Sequence, residues 1–79
     1  MRKIKMIWDF RGPEGLEIAK HHQKHLNEFI QLEKLDSIAG FQEINEVFAI
    51  AYMIVEEKNM ILVRDTLKPH RAELFIENL

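Results

Sequence analysis

The longest uninterrupted apolar run of the chain, Val47 to Val55, limits what the sequence can fold into more than any other segment. It is much too short to span a bilayer as a helix, and its β-branched and aromatic side chains favour a strand. Alternation along the strand places apolar side chains on both of its faces. Ala49 and Ala51 share one face, where their small size suits close packing beneath helices. We expect a second copy of the chain to cover the other face; the alternative is a central strand with an open apolar side. The side chains expected at this interface are Phe48, Ile50, Tyr52 and Ile54.

The first half of the chain changes from a strand period to a helix period. Lys3 to Phe10 alternates between apolar and polar positions, which predicts a first strand. From Glu14 to about Lys34 the apolar residues recur at helical spacing, and Pro13 is expected at the first helical position. Ser37 to Glu46 predicts a weaker strand, and Asn45-Glu46 is expected to form the turn into the apolar strand.

The last third of the sequence fits two structures. Asn59 is expected to cap a helix that begins at Met60, whereas the alternative makes Met60 to Arg64 a strand that is joined to the apolar strand through Glu56 to Asn59. The helix is favoured. Pro69 to Leu79 is compatible with a further helix, and a short last strand at Leu74 to Ile76 is the alternative.

The order of these elements, β-α-β-β-α with an optional last strand, predicts an α+β fold in one domain over residues 1–79. A ferredoxin-like split βαβ arrangement, with an antiparallel sheet and the helices on one face, fits that order. With His25-Leu26 in the helix after the first strand, the chain resembles the dimeric α/β-barrel proteins and, more distantly, the YCII-related proteins. The resemblance implies that two copies associate through the open face of the sheet.

Composition excludes several classes of function. The chain has 79 residues and no cysteine, so disulfide scaffolds and cysteine-based metal or redox sites are excluded. A formal net charge of -2 offers no basic field for nucleic acid. Asp9 ends the apolar part of the N-terminal segment too early for a signal peptide. We expect a soluble, cytoplasmic protein that binds neither nucleic acid nor membrane, needs no cofactor and gains stability from oligomerisation.

Three of the four histidines, His21, His22 and His25, lie within one short stretch of the predicted helix. At 100° per residue they point in different directions. His22 falls on the apolar face, where burial would lower its pKa, and it is either a core residue or a proton carrier. His21 and His25 are one turn apart, so they either chelate a zinc-like ion or belong to a solvated face. Glu17 and Glu28 lie on the same stripe.

Polar residues outside the histidine cluster form two further candidate sites. Asp9 lies on the strand face opposite Trp8 and is expected to be a general base with a raised pKa in a dimer cavity, or else to pair with a nearby cation. The cations considered are Lys3, Lys5 and Arg11. If the last helix continues past Pro69, a stripe beside His70 either holds an anion or is a solvated basic surface. Its members are Arg64, Lys68 and Arg71.

Three functions remain open at this point. The first is a homodimeric ligand-binding or interaction module with no chemistry of its own. The second is a cofactor-free enzyme of the dimeric-barrel kind, with His22 and Asp9 as proton carriers. The third is a metal-binding protein that uses His21 and His25. The residues expected to contact a ligand are Trp8, Arg11, Tyr52, Arg64 and His70.

Overall fold

A computed structural model describes residues 2–76 as an α+β fold with one four-stranded sheet and two α-helices, as the element order predicts. Every strand pair is antiparallel, and the order across the sheet is β2-β3-β1-β4. The elements in chain order are β1 (Lys3–Arg11), α1 (Gly15–Glu33), β2 (Ile38–Asn45), β3 (Phe48–Glu56), a 3-10 turn (Glu57–Asn59), α2 (Met60–Leu67) and β4 (Arg71–Phe75).

Both helices pack on the same face of the sheet. The two central strands are paired so that Met6 lies opposite Met53 and Trp8 opposite Ala51. Ala49 and Ala51 lie in the core with the buried residues of α1, which confirms the prediction that the alanine face of β3 lies beneath a helix. The buried core cluster consists of Met6, Trp8, Ala19, Leu26, Ala49, Ala51, Met53, Val55 and Val63.

The opposite side of the sheet, called the open face below, has neither helix packed on it. Register places Ile7 opposite Tyr52 and Asp9 opposite Ile50, and these side chains alternate with those of the core. The prediction that β3 has two largely apolar faces is confirmed.

Two element starts differ from the sequence predictions. Pro13 lies in the turn before α1 and not at its first position, which belongs to Gly15. A Cβ at Gly15 would lie 2.5 Å from the backbone oxygen of Phe10, so glycine allows the helix to begin close against β1. The turn between β2 and β3 is Glu46-Val47, one residue later than predicted, and the Asn45 side chain accepts a hydrogen bond from the Val47 amide at 2.9 Å.

The C-terminal third contains the largest difference. The helix prediction for Met60 is confirmed, although the Asn59 side chain makes no capping hydrogen bond. The helix predicted from Pro69 is wrong, because α2 ends at Leu67, Lys68 adopts the left-handed conformation and β4 follows. The alternative last strand is present, but it begins at Arg71 rather than Leu74, and the end of the predicted segment, residues 77–79, lies outside the described residues. One edge of β1 is not paired with β3, and its backbone groups pair with those of β4. A helix in place of β4 would leave these groups of β1 without strand partners.

Over residues 2–76, neither helix has the length and apolar character that crossing a membrane requires.

Candidate functional site

His22 lies between two aromatic side chains of β1, on the core side of the sheet. Its ring centroid is 5.1 Å from that of Trp8 and 5.3 Å from that of Phe10. The Nε2 atom is buried and has no hydrogen-bond partner among residues 2–76. Burial lowers the pKa of His22, and the positive charge that nearby His25 and His70 can carry lowers it further. The predicted orientation is confirmed, and the pKa of His22 is lowered, as predicted, because burial disfavours the charged ring.

Trp8, a predicted ligand contact, is part of the core. It is only 3 % exposed, and its Nε1–H donates a hydrogen bond to the Leu67 carbonyl oxygen at 2.9 Å. This bond ties β1 to the end of α2, which satisfies the one polar atom of the indole. A ligand could reach the ring only if neighbouring side chains moved.

Asp9 lies on the open face and forms a two-pronged ion pair with Arg71 of β4. The Arg71 Nε donates to Oδ2 at 3.1 Å and the Nη2 donates to Oδ1 at 3.0 Å. These hydrogen bonds lower the pKa of Asp9, so the prediction of a raised pKa is wrong. Asp9 pairs with a cation, as the alternative predicts, but the partner is Arg71 of β4 rather than Lys3, Lys5 or Arg11.

The two proposed proton carriers do not share a cavity. Asp9 follows Trp8 along β1, so its side chain projects from the face of the sheet opposite the core. His22 contacts Trp8 and Phe10 on the core side. The sheet therefore separates the imidazole from the carboxylate, and proton transfer between them has no direct route.

His70 acts as an extension of the sheet. Its backbone amide donates to the Ile7 carbonyl oxygen at 2.9 Å, and its Nδ1 accepts a hydrogen bond from the Asp9 amide at 2.7 Å. Because the amide is the donor, Nδ1 is unprotonated and the ring proton of the neutral tautomer is on Nε2. The side chain thus continues the β1–β4 pairing for one more step.

The predicted basic stripe does not form. Arg64 pairs with its chain neighbour Asp65 at 3.0 Å, and Arg71 belongs to β4 and faces Asp9. The stripe required a helix that continues past Pro69, and the left-handed residue Lys68 ends that helix.

Charged side chains cover part of the open face. The Lys5 Nζ lies 4.7 Å from the ring centroid of Tyr52, and the Arg11 guanidinium lies 4.1 Å from that of Phe48. Both distances are within the range of cation–π attraction. At the centre of the face Ile7 is 1 % exposed and Ile50 is 4 % exposed. The apolar centre is therefore shielded by the protein's own side chains.

A groove of about 240 Å³ lies at one end of the open face. Each of the four strands contributes a wall residue, and the loop before β2 contributes two polar ones. The Ser37 Oγ is buried and makes no hydrogen bond within the described chain. From the sequence, Ile54 is expected at the dimer interface and Lys3 as a possible partner of Asp9, but neither is predicted to line a groove, because the lining depends on strand register. The lining residues are Lys3, Asp36, Ser37, Ile38, Ile54 and Phe75.

His21 and His25 lie together on the exposed surface of α1. Their Nε2 atoms are 3.1 Å apart, and their rings meet edge to face with centroids 4.6 Å apart. Glu28 lies 3.3 Å from the Nδ1 of His25, whereas Glu17 pairs with Lys20. In the part of the chain that the structure describes, no cluster of three or more histidine, aspartate or glutamate side chains is arranged around a metal position.

Most of the predicted site residues thus fall into three separate places, namely the aromatic contact of His22, the open face with its groove, and the His21–His25 pair, whereas Arg64 lies on α2 and pairs with Asp65. No protein-family model, curated protein or solved structure matches this chain. The function is therefore argued from the geometry of these three places.

Proposed function

We propose that this protein is a homodimeric ligand-binding module in which the open faces of two sheets pack against each other. The observation that carries the proposal is the groove across one end of the open face. Its apolar lining residues, Ile38, Ile54 and Phe75, are joined by two side chains of opposite charge, Lys3 and Asp36. An apolar surface with a few convergent polar groups is typical of a small-molecule site.

The size of the groove supports a second copy as part of the site. Its volume of about 240 Å³ is below the roughly 300–1,000 Å³ of most ligand pockets. Ile38 is 64 % exposed at the rim, so the apolar lining is open to water on one side. A second sheet laid over the open face would enclose the groove and bury Ile38.

The topology also supports this arrangement. We infer a ferredoxin-like fold from the element order β-α-β-β-α-β with the strand order β2-β3-β1-β4. Both helices occupy one face in that fold, which leaves the other face free for association. The resemblance to the dimeric α/β-barrel proteins, which rests on the order of the elements, is in line with a pairing of sheets.

The ligand class follows from the lining. The apolar lining favours a small aliphatic or aromatic body, the Lys3 ammonium favours an anionic group, and the Asp36 carboxylate favours an N–H or O–H donor on the same ligand. The Ser37 hydroxyl has no hydrogen-bond partner among residues 2–76, so a small movement would let it bind a polar atom of the ligand. We therefore propose a small amphipathic anion.

Light scattering coupled to size exclusion tests the dimer, and Ile38→Lys with Ile61→Lys forms a matched pair of variants. Both isoleucines are exposed, 64 % and 57 %, but Ile61 is on α2, away from the open face. We expect a dimer for the wild type and for Ile61→Lys, and a monomer for Ile38→Lys. A monomeric wild type at micromolar concentration would rule out the proposed assembly.

Binding of the dye 1-anilinonaphthalene-8-sulfonate tests the groove, because this probe has an aromatic body and one anionic group. We expect wild type and Ile61→Glu to enhance its fluorescence equally. Ile38→Glu places a carboxylate in the lining of the groove, where it repels the sulfonate of the dye and should abolish the enhancement. Equal enhancement by all three proteins would place the dye elsewhere and contradict the ligand site.

A further inference from the structure

We propose that His21 and His25 bind one divalent metal ion of the zinc and nickel class on the exposed face of α1. Two nitrogen ligands of a tetrahedral ion, each about 2.0–2.1 Å from the metal, are about 3.3 Å apart. The Nε2 atoms of His21 and His25 are 3.1 Å apart. Since the two residues are separated by one turn of α1, the backbone already places both rings for a shared ion.

The surroundings of His25 favour the tautomer that metal binding needs. The Nδ1 of His25 lies 3.3 Å from a carboxylate oxygen of Glu28. A carboxylate this close attracts a proton to Nδ1 and so leaves the lone pair of Nε2 free for a metal. A carboxylate–histidine pair of this kind orients many metal ligands in proteins.

His21 supplies the second lone pair after a change of tautomer. With the proton of His25 on Nδ1, the Nε2···Nε2 contact of 3.1 Å has His21 as the donor. Metal binding replaces this hydrogen bond: the proton leaves Nε2 of His21 for water, and Nδ1 takes one up from water. The neutral ring then presents its Nε2 lone pair to the ion, so no net charge is lost or gained.

The site has two protein ligands, and water completes the coordination shell. Residues 2–76 supply no third histidine or carboxylate in position to bind the same ion, and Glu17, one turn before His21, is paired with Lys20 at 3.6 Å. Imidazole nitrogen suits zinc, nickel and copper, whereas magnesium prefers oxygen ligands. We therefore expect binding of Zn²⁺ and Ni²⁺ but not of Mg²⁺.

Isothermal titration of the untagged protein with each of these three ions tests the site. The control is the double variant His25→Gln with Gln31→His, which has the same composition as the wild type. It places its histidines almost three turns apart, about 15 Å along the helix axis, too far to share an ion. We expect one Ni²⁺ per chain for the wild type and an affinity at least roughly tenfold lower for the double variant.

NMR locates the ion independently of affinity. Substoichiometric Ni²⁺ is paramagnetic and should broaden the resonances of residues around positions 21 and 25 first. Equal affinity of wild type and double variant, or broadening centred on His70, would overturn the proposal. Both measurements are independent of the open face, so the result does not depend on whether the protein is a dimer.

Discussion

At the scale of single residues, His22 links the pH of the solution to the stability of the core. Its pKa is lowered from the ordinary value of 6.5 because the ring is buried. At pH values between 6.5 and the lower pKa of His22 in the folded protein, the unfolded chain binds more protons than the folded chain does. The free energy of unfolding should therefore fall as the pH drops below about 6.5. Three nearby imidazoles also lower the pKa of His22 when they are protonated. They belong to His21, His25 and His70.

Replacement of His22 by phenylalanine tests this link. Phenylalanine keeps a ring between Trp8 and Phe10 but removes the buried Nε2 that has no partner among residues 2–76. We expect a gain in stability of about 1 kcal/mol at neutral pH, since an unpaired buried polar atom is removed. Urea unfolding at several pH values should also show a weaker decline below pH 6.5. The exposed Lys24, changed to glutamine, is the control, because Lys24 does not act on the pKa of His22; an unaltered pH slope in His22→Phe would contradict the assigned cause.

The Asp9–Arg71 pair is expected to stabilise the contact between β1 and β4. Both residues retain some exposure to water, so we expect a coupling energy of about 0.5–1 kcal/mol from a double-mutant cycle of Asp9→Asn and Arg71→Gln. The pKa of Asp9 is lowered from 3.8, so this stabilisation is complete above that pH and is lost as the pH falls through the lower folded value. A coupling energy that is unchanged in strong acid would show that the two charges do not interact.

These two residues also show what the sequence can predict about a site. His22 occupies the apolar face of a strongly periodic helix, so its direction and its pKa follow from local spacing alone. The partner of Asp9 is far away in the sequence and becomes a neighbour only through the pairing of β1 with β4. Nothing in the local pattern around Asp9 identifies Arg71, and the lining of the groove is hidden for the same reason.

At the scale of elements, both helices end at a lysine in the left-handed conformation. Lys34 has φ 53° after α1, and Lys68 has φ 48° after α2. A side chain in this region is strained, and glycine relieves that strain. We expect Lys34→Gly and Lys68→Gly each to raise the free energy of unfolding by about 0.5–1 kcal/mol.

A glycine within a helix serves as the matched control for this prediction. Lys24 is exposed in the middle of α1, where glycine should destabilise by about 1 kcal/mol. Chemical denaturation of the three variants compares the same substitution in two backbone conformations. A loss of stability in Lys34→Gly similar to that in Lys24→Gly would show that the helix end is not strained.

The sequence predicts elements well where one period extends over many residues. β1, α1 and β3 appear within one or two residues of their predicted ends, because alternation or helical spacing is strong there. For β4 the sequence favours a helix and offers a strand only as the alternative, since a strand of five residues has too few alternations to outweigh helix-forming side chains. The alternation of Ala72 and Leu74 with the charged residues Arg71 and Glu73 indicates a strand. Pairing with the free edge of β1 then stabilises the strand rather than a helix.

At the scale of the whole molecule, the small size of the chain sets the expectation for oligomerisation. A domain of 79 residues is near the size at which one core supplies only a few kcal/mol of net stability. The cations above Tyr52 and Phe48 reduce the apolar area that association would bury, because Ile7 and Ile50 are already covered in one chain. The side chains left to contribute are those at the rim and the groove, with Ile38 the most exposed of the groove's apolar residues. The dimer should therefore be of moderate strength.

A dimer of moderate strength makes thermal stability depend on protein concentration. If unfolding separates the two chains, a roughly hundredfold increase in concentration stabilises each folded chain by about 1 kcal/mol. For a domain of this size that corresponds to a rise in Tm of about 4–8 °C. We expect this rise for the wild type and for Ile61→Lys, and a constant Tm for Ile38→Lys. Calorimetry at two concentrations measures it, and a constant Tm for the wild type would mean that the open face is closed by the chain's own lysine and arginine side chains alone.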